Sequence, residues 1–117
     1  MTSEVSYQGK LRTVCTHLKS RSSIETDAPV DNNGNGERFS PTDLIATALA
    51  SCMITVMGIR AQLSGIPFET VSASVQQSMG ISPRRITEIK VEIVVHDSCS
   101  DKQREILEQV ASGCPVA

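Results

Sequence analysis

The residues able to do nucleophilic, redox or metal chemistry are four cysteines, Cys15, Cys52, Cys99 and Cys114, and two histidines, His17 and His96. Their spacing makes no C-x-x-C or H-x-x-x-H pair, so a structural zinc site has little support. Gly34-x-Gly36 lacks the strand, helix and spacing of a nucleotide-binding loop, and there is no Ser-centred nucleophile elbow. What remains is thiol chemistry, in which the thiolate is the reactive form and a helix N-terminus or a nearby cation favours it. Each cysteine also has a plain structural reading. Cys15 lies in a strand pattern and suits a small buried hydrophobe. Cys99, at a helix start beside charged residues, reads as an exposed bystander. Cys52, on composition alone, reads as core. Cys114 precedes Pro115, which would suit the first position of a further helix with Cys114 as N-cap, but the sequence stops at Ala117.

The element that must position Cys52 is a long helix predicted over 40–65. Ser40 is a good N-cap, Pro41 suits the first helical position, Asp43 complements the helix N-terminus, and Gly65 supplies the stop. Between Leu44 and Ile59 almost no side chain is strongly polar, and Thr47, Ser51 and Thr55 recur every four residues as a small-residue stripe. A helix apolar nearly all round must be buried on several sides. About two dozen residues give an axis of about 36 Å. Ahead of it, strand patterns at 4–10, 11–19 and 23–26, with a turn at 20–22, form a meander. The Pro-, Asn-, Asp- and Gly-rich stretch 27–36 is a loop, with Asn33-Gly34 and Asn35-Gly36 suited to positive φ. Phe39 could staple the first turn. After Gly65, alternation over 71–79 and 89–95 predicts an antiparallel hairpin with one face toward the central helix. Ser100-x-x-Gln103 is a capping box opening a second helix, with Ile106, Leu107, Val110 and Ala111 on one face, ending at Gly113. The architecture is α+β.

Composition narrows the function classes. A length of 117 residues, 39% hydrophobic and 21% charged, fits one soluble domain over 1–117. One Tyr, two Phe and no Trp leave no stacking platform for single strands, and a net charge of −2 without a basic cluster gives no phosphate footprint, so nucleic acid is not an expected partner. The N-terminus has no apolar signal region. The apolar run of the central helix is shorter than about 18 residues and broken by hydroxyls and Gly, which argues against a membrane span. The expected compartment is the cytoplasm, with mostly reduced cysteines.

Taken together, the segments around Cys52 and Cys114 resemble the OsmC/Ohr family (osmotically inducible protein C / organic hydroperoxide resistance). The resemblance rests on S-P-T-D-L-I-A-T-A-L-A-S-C at 40–52, the hairpin after the helix, G-C-P-V at 113–116, and the separation of the two cysteines. It implies an OsmC-like fold in an intertwined homodimer with sites at the subunit interface. A helix this apolar is also easier to bury against a second copy. The implied activity is a cofactor-free, thiol-dependent reduction of organic hydroperoxides. A cysteine matching Cys52 attacks the peroxide and becomes a sulfenic acid, one matching Cys114 condenses with it to a disulfide, and a dithiol reductant opens that bond. Met53, Ile54, Met57 and Ile59 would offer apolar walls to the alkyl group.

Two departures stand out. Competent relatives carry a glutamate directly after the helix-opening Pro, where this sequence has Thr42, and Asp43 lies about 100° round the helix from it. That glutamate pairs with an N-terminal arginine that holds the thiolate, here Arg12 or Arg21, with Arg12 in the better-formed strand. Relatives also continue past the second cysteine through a helix and a final strand, so the C-terminus reads as truncated. The alternative reading is a non-catalytic small-molecule binding or redox-sensing dimer on the same fold. The plainest is an apolar helix with a structural cysteine.

Overall fold

The structure, a computed structural model, describes residues 1–117. The chain forms two compact units, Met1–Leu44 and Ile45–Ala117.

The N-terminal unit is a three-stranded antiparallel meander, β1 (Ser3–Gly9), β2 (Arg12–His17) and β3 (Ser23–Asp27), in the order β1-β2-β3. β2 starts one residue later than the alternation predicts. Lys10 and Leu11 both take positive φ (54° and 62°), the backbone that a two-residue hairpin turn demands and that neither side chain favours. β3 runs one residue further than the predicted 23–26, to Asp27, which pairs in register with Arg12. In the loop that follows, Asn33 and Gly36 adopt positive φ as expected. At Gly34 a Cβ would overlap the Ala28 carbonyl, so only glycine fits that close approach.

α1 (Pro41–Ser64) starts at the predicted cap. The Ser40 side chain accepts from Asp43 N at 3.1 Å, and the Asp43 carboxylate accepts from Ser40 N at 3.0 Å. The helix ends at Gly65, with φ of +66°, and Ile66 N donates to Ala61 O at 2.9 Å, satisfying one of the last carbonyls. Phe39, expected as a staple, is about half exposed, and its carbonyl accepts from Asp27 N at 3.0 Å. Within a single chain the burial of α1 follows one stripe, Ala46, Ala50, Met57 and Ala61, while Ile45, Ile59 and Leu63 are more than half exposed. With a mean hydropathy of 1.8 over an 18-residue window, α1 is long and apolar enough to cross a membrane. The hydroxyls within the run do not break it, because Ser and Thr lower the mean hydropathy little.

The rest of the C-terminal unit is built on a hairpin of β4 (Val71–Gly80) and β5 (Arg85–Val95) followed by α2 (Asp101–Ala111). Val71, Ala73, Val75 and Gln77 face the same side as their partners Val95, Ile93, Val91 and Ile89. β5 begins at Arg85, four residues before the recognised alternation. A register shift between Ser78 and Met79 puts an extra residue between Ile86 and Ile89, which breaks the period of two. Asp97 fastens the open end of the hairpin by accepting from Glu69 N (3.0 Å) and Thr70 N (2.9 Å). These two amides hold its carboxyl below the usual range, Thr70 more than Glu69. The Ser100–Gln103 capping box forms in both directions. α2 turns Leu107 and Ala111 into a core shared with Met57, Ala61 and Ile66, against which Met53, Phe68, Ile93, Val95, Cys99 and Ile106 pack.

Candidate functional site

Cys52 occupies the midpoint of α1 and is half-buried. At 100° per residue, positions seven apart fall nearly on one line. Ile45, Cys52 and Ile59 therefore form one row, and Ala48 and Thr55 a second beside it. Ile45, Ala48, Thr55 and Ile59 are all exposed. The thiol thus sits in an apolar, solvent-facing seam, away from the Ala46–Ala50–Met57–Ala61 stripe that α1 buries. The Thr55 hydroxyl donates to Ser51 O at 2.7 Å, which turns its polar atom back onto the backbone and leaves the methyl outward.

Cys114 is buried, with 4% of its surface exposed. It follows α2 and Gly113, and its carbonyl accepts from Ala117 N at 3.1 Å, closing a turn at the end of the sequence. Both sulfurs are free thiols, and both belong to the C-terminal unit. Cys15 is half-buried in β2, paired in register with Val5 and Ile24, in keeping with a packing role. Cys99 differs from expectation. It is half-buried and packs on the core, because it stands where the inner face of β5 meets α2. It lines an apolar cleft of about 240 Å³ with Met53, Met57, Ile93 and Leu107, and Arg104 and Glu108 are among its polar lining residues.

Arg12 lies in the N-terminal unit. Its Nε donates to Asp27 Oδ1 at 2.7 Å, and its Nη2 to Asp27 Oδ2 at 2.8 Å, a bidentate fork. Nη2 also reaches Glu37 Oε1 at 3.4 Å. The Asp27 side chain has no accessible surface, and its Oδ2 accepts a third hydrogen bond from Glu37 N at 3.1 Å. The Arg12 hydrogen bonds are the main reason its carboxyl is held below the usual range, against the opposing pull of desolvation. The same pairing raises the already high Arg12 pKa. Arg21, the other candidate, is exposed in the β2–β3 turn at φ +64°. Of the two, only Arg12 is oriented by a carboxylate. Thr42 shares a hydrogen bond with Ser40 Oγ at 3.1 Å, and Asp43 serves the helix cap.

Asp27 is the residue the sequence reading missed. Its local composition reads as a loop, and the signal that reveals it is the strand register that sets an acidic residue opposite Arg12. No three His, Cys, Asp or Glu side chains cluster as a metal site.

The family model described as OsmC-like protein matches residues 34–117. A crystal structure from Psychrobacter arcticus 273-4, of a protein assigned to osmotic stress induction and detoxification response, is 49% identical. The match covers 100% of this chain and 85% of that one, with a TM-score of 0.96. An OsmC like protein from Mycoplasma pneumoniae shares the fold at 18% identity, covering 97% and 82% with a TM-score of 0.80. The organic hydroperoxide resistance protein OsmC from Legionella pneumophila does so at 20% identity, covering 99% and 86% with a TM-score of 0.66. No protein among the curated ones matches the chain.

Proposed function

The chain belongs to the OsmC-like family, and on that premise we propose that it is a thiol-dependent peroxidase that reduces organic hydroperoxides in an oxidative stress response. It works as a cytoplasmic homodimer without a cofactor. The observation that carries this reading is Cys52, a half-buried thiol at the centre of an exposed apolar seam, with the buried thiol Cys114 in the same unit. The hydroperoxide resistance named for the Legionella relative agrees with it.

The Cys52 thiolate attacks the terminal oxygen of the hydroperoxide. The O–O bond breaks, the alkoxide leaves and takes a proton to become the alcohol, and Cys52 is left as a sulfenic acid. The Cys114 sulfur then attacks the Cys52 sulfur, hydroxide leaves and is protonated to water, and a disulfide forms. A dithiol reopens it through a mixed disulfide and is itself oxidised. Arg12 is the cation that the family resemblance assigns as thiolate partner. A second copy of the chain covers the seam of Ile45, Ala48 and Ile59 and closes the alkyl site, since an exposed apolar stripe of this kind marks an interaction surface.

The test is oxidation of a dithiol driven by cumene or tert-butyl hydroperoxide. The wild type consumes thiol above the blank, and Cys52→Ser falls to the blank. No consumption by the wild type with any alkyl hydroperoxide would remove the reading. A second reading, a non-catalytic binder of small apolar molecules, is favoured by the cleft lined by Met53, Met57 and Leu107. It predicts ligand protection of Cys99 from alkylation with no hydroperoxide turnover.

A further inference from the structure

We propose that Met53, Met57 and Cys99 form a site for a soft monovalent metal ion, copper(I), with one thiolate and two thioethers as its ligands. The site lies wholly within Ile45–Ala117 and is independent of the peroxidase reading, because it uses neither Cys52 nor Cys114.

All three sulfur side chains line the same cleft of about 240 Å³ between α1, β5 and α2. Met53 and Met57 stand one turn apart on α1, a spacing that puts their Cβ atoms about 5–6 Å from each other on one face. Each side chain is unbranched and rotates freely, so both sulfurs can turn to a shared point. Cys99 reaches the cleft from outside the helix, packing on the core cluster that contains Met57 and against which Met53 also packs. Its backbone is fixed on both sides. Just before it, Asp97 accepts from the Glu69 and Thr70 amides, and just after it Ser100 and Gln103 close the capping box. A thiol held in this way is a preorganised ligand. Methionines that only fill a core leave no space beside them, whereas these two border a cleft with room for an ion.

The donor set selects the metal. Thiolate and thioether sulfurs favour copper(I), while zinc takes thiolate, imidazole or carboxylate ligands, and no three His, Cys, Asp or Glu side chains cluster here. Charge points the same way. The Cys99 thiol gives its proton to solvent as the metal–sulfur bond forms, and one thiolate with one copper(I) is neutral. Walls of Ile93 and Leu107 tolerate a neutral pair, whereas zinc(II) with the same ligands would leave an uncompensated positive charge among them. The charged residues lining the cleft, Arg104 and Glu108, are one of each sign and add no net charge.

The test is NMR of the reduced, full-length protein with isotope-labelled methionine methyl groups, titrated with silver(I) as a redox-inert probe for copper(I). The methionines are Met1, Met53, Met57 and Met79, and single Met→Leu variants assign their signals. The Met53 and Met57 signals should shift, those of Met1 and Met79 should stay, and copper(I) under nitrogen should reproduce the pattern. Both shifts should vanish in Cys99→Ser. Met53→Leu and Met57→Leu keep the volume, and each should weaken silver(I) binding, read from the methionine that remains, by about tenfold or more. The proposal is overturned if at saturating silver(I) neither signal or only one moves, or if copper(I) fails to reproduce the shifts. It is equally overturned if the shifts survive in Cys99→Ser or the Met→Leu variants bind as the wild type does. Should Cys99→Ser not fold, Cys99→Ala, which leaves no unpaired hydroxyl, decides by the same signals.

Discussion

The two compact units bury opposite kinds of chemistry. In Met1–Leu44 the buried residues are Thr26, Asp27 and Ser40, all polar. In Ile45–Ala117 they are Ala46, Ala50, Met57, Ala61, Ile66, Leu107, Ala111 and Cys114, all apolar or nearly so. The meander is therefore held by a hydrogen-bond network in which each member must be satisfied. Thr26 bonds Thr13, Asp27 bonds Arg12 and Glu37 N, and Ser40 caps α1. The helix–hairpin unit is held by apolar burial, which is tolerant of direction and sensitive to volume. The proposed thiol chemistry falls in the apolar unit, which holds both Cys52 and Cys114.

Three changes probe this contrast, from the largest expected effect to the smallest. Leu107, 1% exposed at the centre of the apolar core, should cost about 2–5 kcal/mol when cut to Ala, from lost transfer energy plus the cavity left behind. Denaturant unfolding of the wild type and variant measures it, and a cost below about 1 kcal/mol would mean that the core collapses freely around the site.

Acid should separate the units next. Asp27 has a folded pKa below its ordinary value, so its contribution is fully present above about pH 4 and is lost as the pH falls toward the lower folded value. Hydrogen exchange read per segment should show β2 and β3 losing protection in that window. In Asp27→Asn this acid step should be absent from the meander, while the one due to Asp97 persists at the β4–β5 hairpin, whose carboxyl is also held low. An unchanged acid profile in Asp27→Asn would contradict the ion-pair account.

The smallest effect is at the α2 cap. Ser100→Ala removes one side of the capping box and should cost about 1 kcal/mol, seen as faster exchange confined to the first turn of α2. A loss spread over the whole unit would mean that Ser100 does more than cap.

The same contrast explains what could be read from the sequence. The apolar unit follows periodic rules, so α1, the hairpin and α2 were legible from spacing, and both helix caps from their residue types. The start of β5 was not, because one extra residue resets the period between Ile86 and Ile89. Cys99 reads as exposed but packs on the core, because its charged neighbours in sequence are not its neighbours in space. Asp27 was missed for a related reason. Its role comes from strand register, a long-range pairing, whereas its local composition of Pro, Asn, Asp and Gly signals only a loop. Cys52, Cys114 and Arg12 were singled out as candidates through family resemblance, and the partner of Arg12 came from the structure.

The most direct test of the central claim is peptide mapping by mass spectrometry after one equivalent of tert-butyl hydroperoxide is added to the fully reduced protein. The account predicts a loss of two hydrogens located in a Cys52–Cys114 disulfide, and in Cys114→Ser a sulfenic acid trapped at Cys52. Oxidation that appears first at Cys15 or Cys99, with Cys52 still a thiol, would contradict it.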